Sequence, residues 1–283
     1  MSVPDSHSHH PSTSQNSLGQ PIGFPLPNWT PPPLPARISL QGRYCRLEPL
    51  DPDRHAAPLY AANALDTAHR MWTYLAYGPF DTLAQYQAWM QAVCSSHDPL
   101  FLAVVDVNTQ QPVGVASYLR IDPAVGCIEV GHLAFSPLLQ RTPAATESMF
   151  LMMRHAFALG YRRYEWKCDA LNAPSRAAAE RLGFSFEGIF RQATIYKQRN
   201  RDTAWYSIID CEWPRLEAAF TAWLDPANFD AEGKQRTRLS ELTAAMGESV
   251  EGAAAKWWGR PPDNSISPRP GTPGRGGGGE GHD

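Results

Sequence analysis

Apolar and polar positions from Ile128 to Arg154, IEVGHLAFSPLLQRTPAATESMFLMMR, change period once. They alternate as far as Phe135, break at Ser136-Pro137, and resume at Met149, Met152, Met153, Ala156 and Phe157 with the spacing of one helical face. The pattern predicts a strand, a loop and a helix with Pro143 in its first turn, where proline is well tolerated. Upstream, ISLQGRYCRLEPL predicts an extended hairpin or bent strand turning at Gly42, and Asp51 caps a helix through Leu65. Thr82 caps a second helix to about Ser96, with Tyr86, Trp89, Met90 and Val93 on one face. Strands at Leu100–Val107 and Pro112–Ile121 flank a polar turn, and a further turn at Asp122–Gly126 completes an antiparallel meander. Downstream, the pattern predicts a strand at Arg162–Asp169, a short helix from Asn172 closed by Leu182-Gly183-Phe184, and a strand at Ser185–Lys197. A polar turn at Arg199–Asp202 and a last strand at Thr203–Trp213 follow. Pro214 opens a helix through Leu224, and residues 231–246 read as a charged helical extension.

Composition sets the limits of this domain. Residues 1–36 carry nine prolines and a Ser/His cluster, and residues 259–283 end in PRPGTPGRGGGGEGHD, so both ends read as disordered tails. The folded domain is expected at 37–225, with a helical extension at 226–258 whose Lys256-Trp257-Trp258 points to docking on a partner or on the domain's own surface. A formal charge of -3 leaves no broad basic surface for nucleic acid. No apolar run approaches the roughly 18 residues of a membrane span, and no signal-peptide pattern opens the chain, so a cytoplasmic protein is expected. Five cysteines, an odd number without a C-x-x-C pair, fit a reducing compartment. Cys168 reads as a strand-core thiol, and His7, His9 and His10 as solvated histidines; no metal site is expected.

A helix N-terminus aimed out of a strand end presents unpaired N–H groups and a positive dipole end, a combination that suits an anion such as a pyrophosphate. Here the loop before that helix reads Gln140-Arg141-Thr142-Pro143-Ala144-Ala145, and a second segment carries Asn172, Ser175, Gly183 and Phe184. In these two ordered motifs, residues 38–225 resemble the GNAT acyl-CoA-dependent N-acetyltransferases, most closely the Rim-type branch that acetylates protein N-termini. The resemblance implies an α/β (α+β) fold with a mixed, mostly antiparallel twisted sheet, splayed central strands and flanking helices. It also implies acetyl-CoA as acyl donor and direct transfer, in a ternary complex, to a primary amine, either a protein N-terminus or a small molecule. Pro143 stands where most of the superfamily has a loop glycine, and Ala179 where many have a tyrosine that protonates the departing thiolate. These departures keep a second reading open, a catalytically silent acyl-CoA-binding or protein-interaction module.

Carried onto this chain, the resemblance gives the phosphates to Gln140, to the Arg141 guanidinium and to N–H groups of Arg141, Thr142, Ala144, Ala145 and Thr146. The pantetheine arm falls to the strand edge Leu133, Ala134 and Phe135 and to Asn172, with Ser175 and Arg176 near the thiol and phosphate ends. Glu129 is the first candidate base, His132 the second, with Glu165 and Asp169 behind them, and Ser175 is the nearest substitute for the missing acid. Four rings in residues 72–80, Trp72, Tyr74, Tyr77 and Phe80, read either as a core cluster or, by the resemblance, as the wall of the acceptor pocket. The expected partner is the amine acceptor, without nucleic acid or membrane, for a monomer or homodimer.

Overall fold

A computed structural model describes residues 14–244. Ser14–Gln15 (β1) and Pro21–Ile22 (β2) form a small separate hairpin. The main sheet begins with Leu40–Gln41 (β3) and Cys45–Pro49 (β4), after which come helices Pro52–Asn63 (α1) and Leu83–Val93 (α2). Leu100–Asp106 (β5), Pro112–Asp122 (β6) and Cys127–Phe135 (β7) make the meander that leads into helix Pro143–Ala158 (α3). Arg163–Asp169 (β8), helix Ala173–Arg181 (α4), Ser185–Tyr196 (β9), Arg199–Ile209 (β10) and helices Trp213–Trp223 (α5) and Leu239–Ala244 (α6) complete the order.

The eight strands run β3-β4-β5-β6-β7-β8-β10-β9, all neighbours antiparallel except β7 and β8. That parallel pair is short, from Cys127↔Arg163 to Val130↔Trp166. Beyond it β8 pairs only with β10, and β7 only with β6, across a bulge in which His132 and Leu133 oppose Ala116. His132 takes a left-handed φ of 52° to make it. The splayed, mixed, mostly antiparallel sheet expected from the resemblance is therefore present.

Alternation sorts the side chains into two layers. Tyr118, Ile128, Val130, Tyr164 and Trp166 join Met149, Met152 and Met153 of α3 and Phe220 of α5 in the larger core. On the opposite face Phe101, Val115 and Ala134 pack with Leu59 of α1 and Tyr86 and Met90 of α2. α3 is also fastened near its start. The buried Glu147 carboxylate accepts from the N–H groups of Arg43, Tyr44 and Cys45 at 2.7, 2.6 and 2.8 Å, which pins the β3–β4 turn to the helix.

Several expectations need correction. Residues 26–36 lie on the domain instead of trailing from it: Trp29 Nε1 donates to Ala124 O, its ring fills the space beside Gly126, and Tyr161 OH donates to Pro33 O. A tryptophan and prolines that lose little entropy on ordering outweigh the segment's low periodicity. The β9–β10 turn falls at Lys197-Gln198, φ 46° and 58°, as a two-residue hairpin, so the polar Arg199 to Asp202 already belong to β10. That strand ends at Ile209, and Trp213 opens α5 ahead of Pro214. Of the described extension Pro226–Asn228 is a single 3-10 turn and Leu239–Ala244 an α-helix; between them Gly233, at φ 77°, and a Phe229↔Gln235 bridge make a turn. His7, His9, His10, Lys256-Trp257-Trp258 and residues 259–283 lie outside the described residues.

Candidate functional site

The gap between β7 and β8 is the centre of the site. From Gly131 onward the β7 backbone has no strand partner on its β8 side, while Ala134 stays paired with Val115 and is buried. Phe135 O is occupied by Gln140 Nε2 at 2.7 Å, so Gln140 folds back to cap the strand end. This differs from its expected reach toward phosphate.

The loop into α3 winds tightly. Leu139 and Gln140 N–H donate to Ser136 O, Thr142 N–H donates to Leu139 O, and Thr142 Oγ1 caps the helix by accepting from Ala145 N at 3.2 Å. Two of the expected phosphate donors, the N–H groups of Thr142 and Ala145, are thus used inside the chain. Arg141, at φ 62°, and Ala144 keep N–H groups without a partner among the described residues, and the Arg141 side chain is exposed beside them. Thr146 is buried, with Oγ1 accepting from Arg181 Nη2 at 3.1 Å. Burial lowers the Arg181 pKa, and its guanidinium has no carboxylate partner among the described residues.

Across the gap, Asn172 caps α4, its Oδ1 accepting from Ser175 N at 3.2 Å, which leaves its side-chain N–H groups to donate. The Ser175 hydroxyl accepts from Trp166 Nε1 at 3.0 Å, and burial raises the pKa of the Cys168 thiol. Cys168 is buried in the α3-side core, in keeping with a strand-core thiol. Arg176 is drawn back to Tyr206 OH at 3.1 Å and Ala170 O at 3.4 Å.

Glu129 precedes the parting of the strands by one residue, on the face away from α3. It stands in register with Glu165 of β8, and Lys167 Nζ bridges the two carboxylates at 3.0 and 2.7 Å. Arg120 Nη1 lies 3.3 Å from the other Glu129 oxygen, and Lys167 also rests 3.8 Å from the centroid of the Trp205 ring. The environments part the pair. Burial raises the Glu129 pKa against the pull of Lys167 and Arg120. At Glu165 burial is outweighed by hydrogen bonds from Lys167 and Arg163, and the pKa falls. Asp169, at the end of β8, accepts from Tyr196 OH at 2.8 Å and Leu171 N at 2.8 Å. His132 stacks on Tyr77 with ring centroids 5.6 Å apart and meets Phe101 at 5.1 Å. Burial, then Arg120 and Arg201, lowers its pKa to about 4, so it is neutral at physiological pH.

The aromatic segment divides. Trp72 is buried against Tyr86 and Phe80, and the half-buried Phe80 packs on Tyr86 and Trp89, so these two rings belong to the cluster formed with α1 and α2. Tyr77 stacks on Trp89 at 4.6 Å with its hydroxyl 3.5 Å from His132 O, and Tyr74 OH donates to Leu171 O at 3.2 Å. Lys197 Nζ donates to Trp72 O at 2.7 Å, which ties the β9–β10 hairpin to the segment. The gap is therefore framed by Tyr74 and Tyr77 on one side and by Tyr196, Lys197 and Arg201 on the other. Sequence reasoning missed these last three; the available signal was the alternation of β10, which places Arg201 on the face of Thr203 and Trp205. Among the described residues there is no group of side chains suited to a metal ion, and no helix is long and apolar enough to cross a membrane.

A family model described as an acetyltransferase (GNAT) domain matches residues 45–185. The crystal structure of a GCN5-related N-acetyltransferase from Brucella melitensis is similar at a TM-score of 0.76 and 50% identity, covering 77% of this chain and 100% of that one. A GNAT-family protein from Chromobacterium violaceum ATCC 12472 is similar at 0.64 and 39% identity, covering 75% and 100%. RimL, a ribosomal L7/L12 α-N-protein acetyltransferase, shares the fold at 0.53 and 20% identity, covering 60% of this chain and 93% of its own. Among curated proteins none matches. The chain belongs to the GNAT acetyltransferases, a family of enzymes that carry out acetyl-CoA-dependent acetylation.

Proposed function

We propose that this protein transfers an acetyl group from acetyl-CoA to a primary amine, directly, with both bound at once. The observation that carries the reading is the parting of β7 and β8 after Val130 and Trp166, beside a helix N-terminus whose Arg141 and Ala144 N–H groups have no partner among the described residues. An extended amide-bearing chain fits such an edge as an added strand, and a diphosphate fits such a helix start. Leu133, Asn172 and Arg141 hold the donor, which supplies an activated acetyl thioester.

Glu129 is the proton acceptor. Of the two carboxylates bridged by Lys167 it is the one with the raised pKa, hence the stronger base, while Glu165 stays ionised and holds Lys167 in place. The attacking amine loses its proton to Glu129 through water, and a backbone N–H at the β7 edge polarises the thioester oxygen. Ser175, already bonded to Trp166, lies at the thiol end as the proton donor, and an α-amine, with a pKa of about 7.7 to 8.0, asks less of the base than a lysine. A protein N-terminus or a small amine is the acceptor class. The catalytic unit spans 37–225, in a cytoplasmic setting suited to the free thiols.

The test is release of free CoA from acetyl-CoA against a panel of amines, including short peptides with free and blocked termini. Release that needs both substrates supports transfer. Saturable acetyl-CoA binding without release for any amine supports instead the silent binding module, a reading favoured by the donor that Pro143 removes from the loop.

A further inference from the structure

On the face of the sheet that carries Glu129, the cations around that carboxylate, Arg120, Lys167 and Arg163, are compensated. Arg120 pairs with Glu129, Lys167 with Glu129 and Glu165, and Arg163 with Glu165 and Glu187. Arg201 has no carboxylate partner among the described residues. Its Nε is buried without a hydrogen bond, and its guanidinium rests 5.7 Å from the Tyr196 ring centroid. Two carboxylates of neighbouring positions are engaged elsewhere: Asp169, opposite Thr203, on Tyr196 OH and Leu171 N, and Asp202 on Gln192 N at 2.7 Å and Asn200 Nδ2 at 3.0 Å.

Its place in the fold is the mouth of the gap. Asp202 O accepts from Ala170 N at 2.8 Å just past the end of β8, so Arg201 stands where β8 has left β7. Its charge is felt by His132 on one side of the gap and by Cys168 on the other. A partly desolvated guanidinium without an anion is costly, and its planar fork matches a carboxylate with two parallel hydrogen bonds.

We infer that Arg201 is a specificity-determining residue that binds a carboxylate on the acceptor, so that the preferred substrate is an amine carrying a carboxylate close to its nitrogen. The α-carboxylate of a free amino acid and an acidic side chain next to a peptide's free N-terminus both meet this description. The inference rests on the acetyl-transfer reading above and names the acceptor class for the same site.

The experiment compares matched acceptors with acetyl-CoA: an amino acid against its amide, and a C-terminally blocked dipeptide with glutamate at its second position against the same peptide with glutamine. Wild-type protein is expected to favour the carboxylate member of at least one pair by about tenfold to a hundredfold in kcat/KM, the range for a hydrogen bond to a charged group. The pair that shows it tells which source of carboxylate is read. Arg201→Gln is expected to abolish the preference by raising the acceptor KM of the carboxylate member, with acetyl-CoA affinity and melting temperature unchanged. Arg201→Lys, which keeps the charge without the fork, is expected to retain part of it and serves if Arg201→Gln folds poorly. Equal use of both members by wild-type protein, or a preference that survives in Arg201→Gln, overturns the inference and leaves acetyl transfer standing. No turnover of any amine removes the acetyl-transfer reading and this inference with it.

Discussion

Glu147→Gln should lower the melting temperature by roughly 6 to 12 °C, because the carboxylate accepts from three backbone donors at the β3–β4 turn. Arg43 N–H meets one oxygen at 2.7 Å, and Tyr44 and Cys45 N–H meet the other at 2.6 and 2.8 Å. An amide keeps one oxygen and turns the other into a donor. In the better orientation it spares the two-bond oxygen and still places its NH2 against the Arg43 N–H. One charge-assisted bond, about 1.5 to 3 kcal/mol, is then lost, a donor is left unpaired at about 1 to 3 kcal/mol, and the other two bonds lose their charge. About 3 kcal/mol is a conservative total, and each kcal/mol is about 2 to 4 °C for a domain of this size. Gly42→Ala should act at the same place, since an added Cβ would press into the Glu147 carboxylate and come within 2.8 Å of Cys45 O. The assay is thermal unfolding by circular dichroism, with amide exchange of residues 43–45 as the local readout. A shift under about 2 °C, or unchanged exchange at those amides, would refute the reasoning.

Tyr77→Ala should cost about 3 kcal/mol of stability through the ring stacked on Trp89, whereas Tyr77→Phe, which loses only a 3.5 Å hydroxyl contact, should melt within about a degree of wild type; equal melting of the two would place the ring outside the core. Glu129→Gln should slow transfer most at low pH and progressively less as the amine deprotonates unaided, and a profile identical to wild type in shape and height would reduce Glu129 to an ion-pair partner. The His132 ring should stay neutral from pH 8 down to about pH 5 in an NMR titration. With its folded pKa near 4, below the unfolded value of about 6.5, the stability linked to it is full above pH 6.5 and is lost as pH falls from there toward 4; a midpoint near 6.5 would contradict that.

Most of the fold was legible because its signals are local. Asp51, Thr82, Thr142 and Asn172 all cap helices with their side chains, and the alternation of Ile128 to Phe135 survives as β7. The β9–β10 turn was misplaced because composition marks exposure, and Arg199 to Arg201 are polar while still paired. Trp29 defeats a compositional reading for a related reason: one ring seated on Gly126 orders a segment without any period. At the site, the loop and the Asn172 cap can be read from short motifs. The assignment of N–H groups cannot, since it depends on the turn that Thr142 and Leu139 make. Trp72 and Tyr74 are two residues apart and equally aromatic, yet one is core and the other reaches Leu171 just past β8, a difference created by segments far away in the chain. Arg201 was invisible in sequence because an unpaired cation is defined by the carboxylates that do not face it.

The most direct measurement is calorimetric titration of the protein with acetyl-CoA, coupled to a melting curve at saturation. One site is predicted, lost or strongly weakened in Arg141→Glu, with stabilisation of about 2.7 kcal/mol at a hundred times Kd, or about 5 to 11 °C. No heat and no shift in melting temperature at saturating acetyl-CoA would contradict the account.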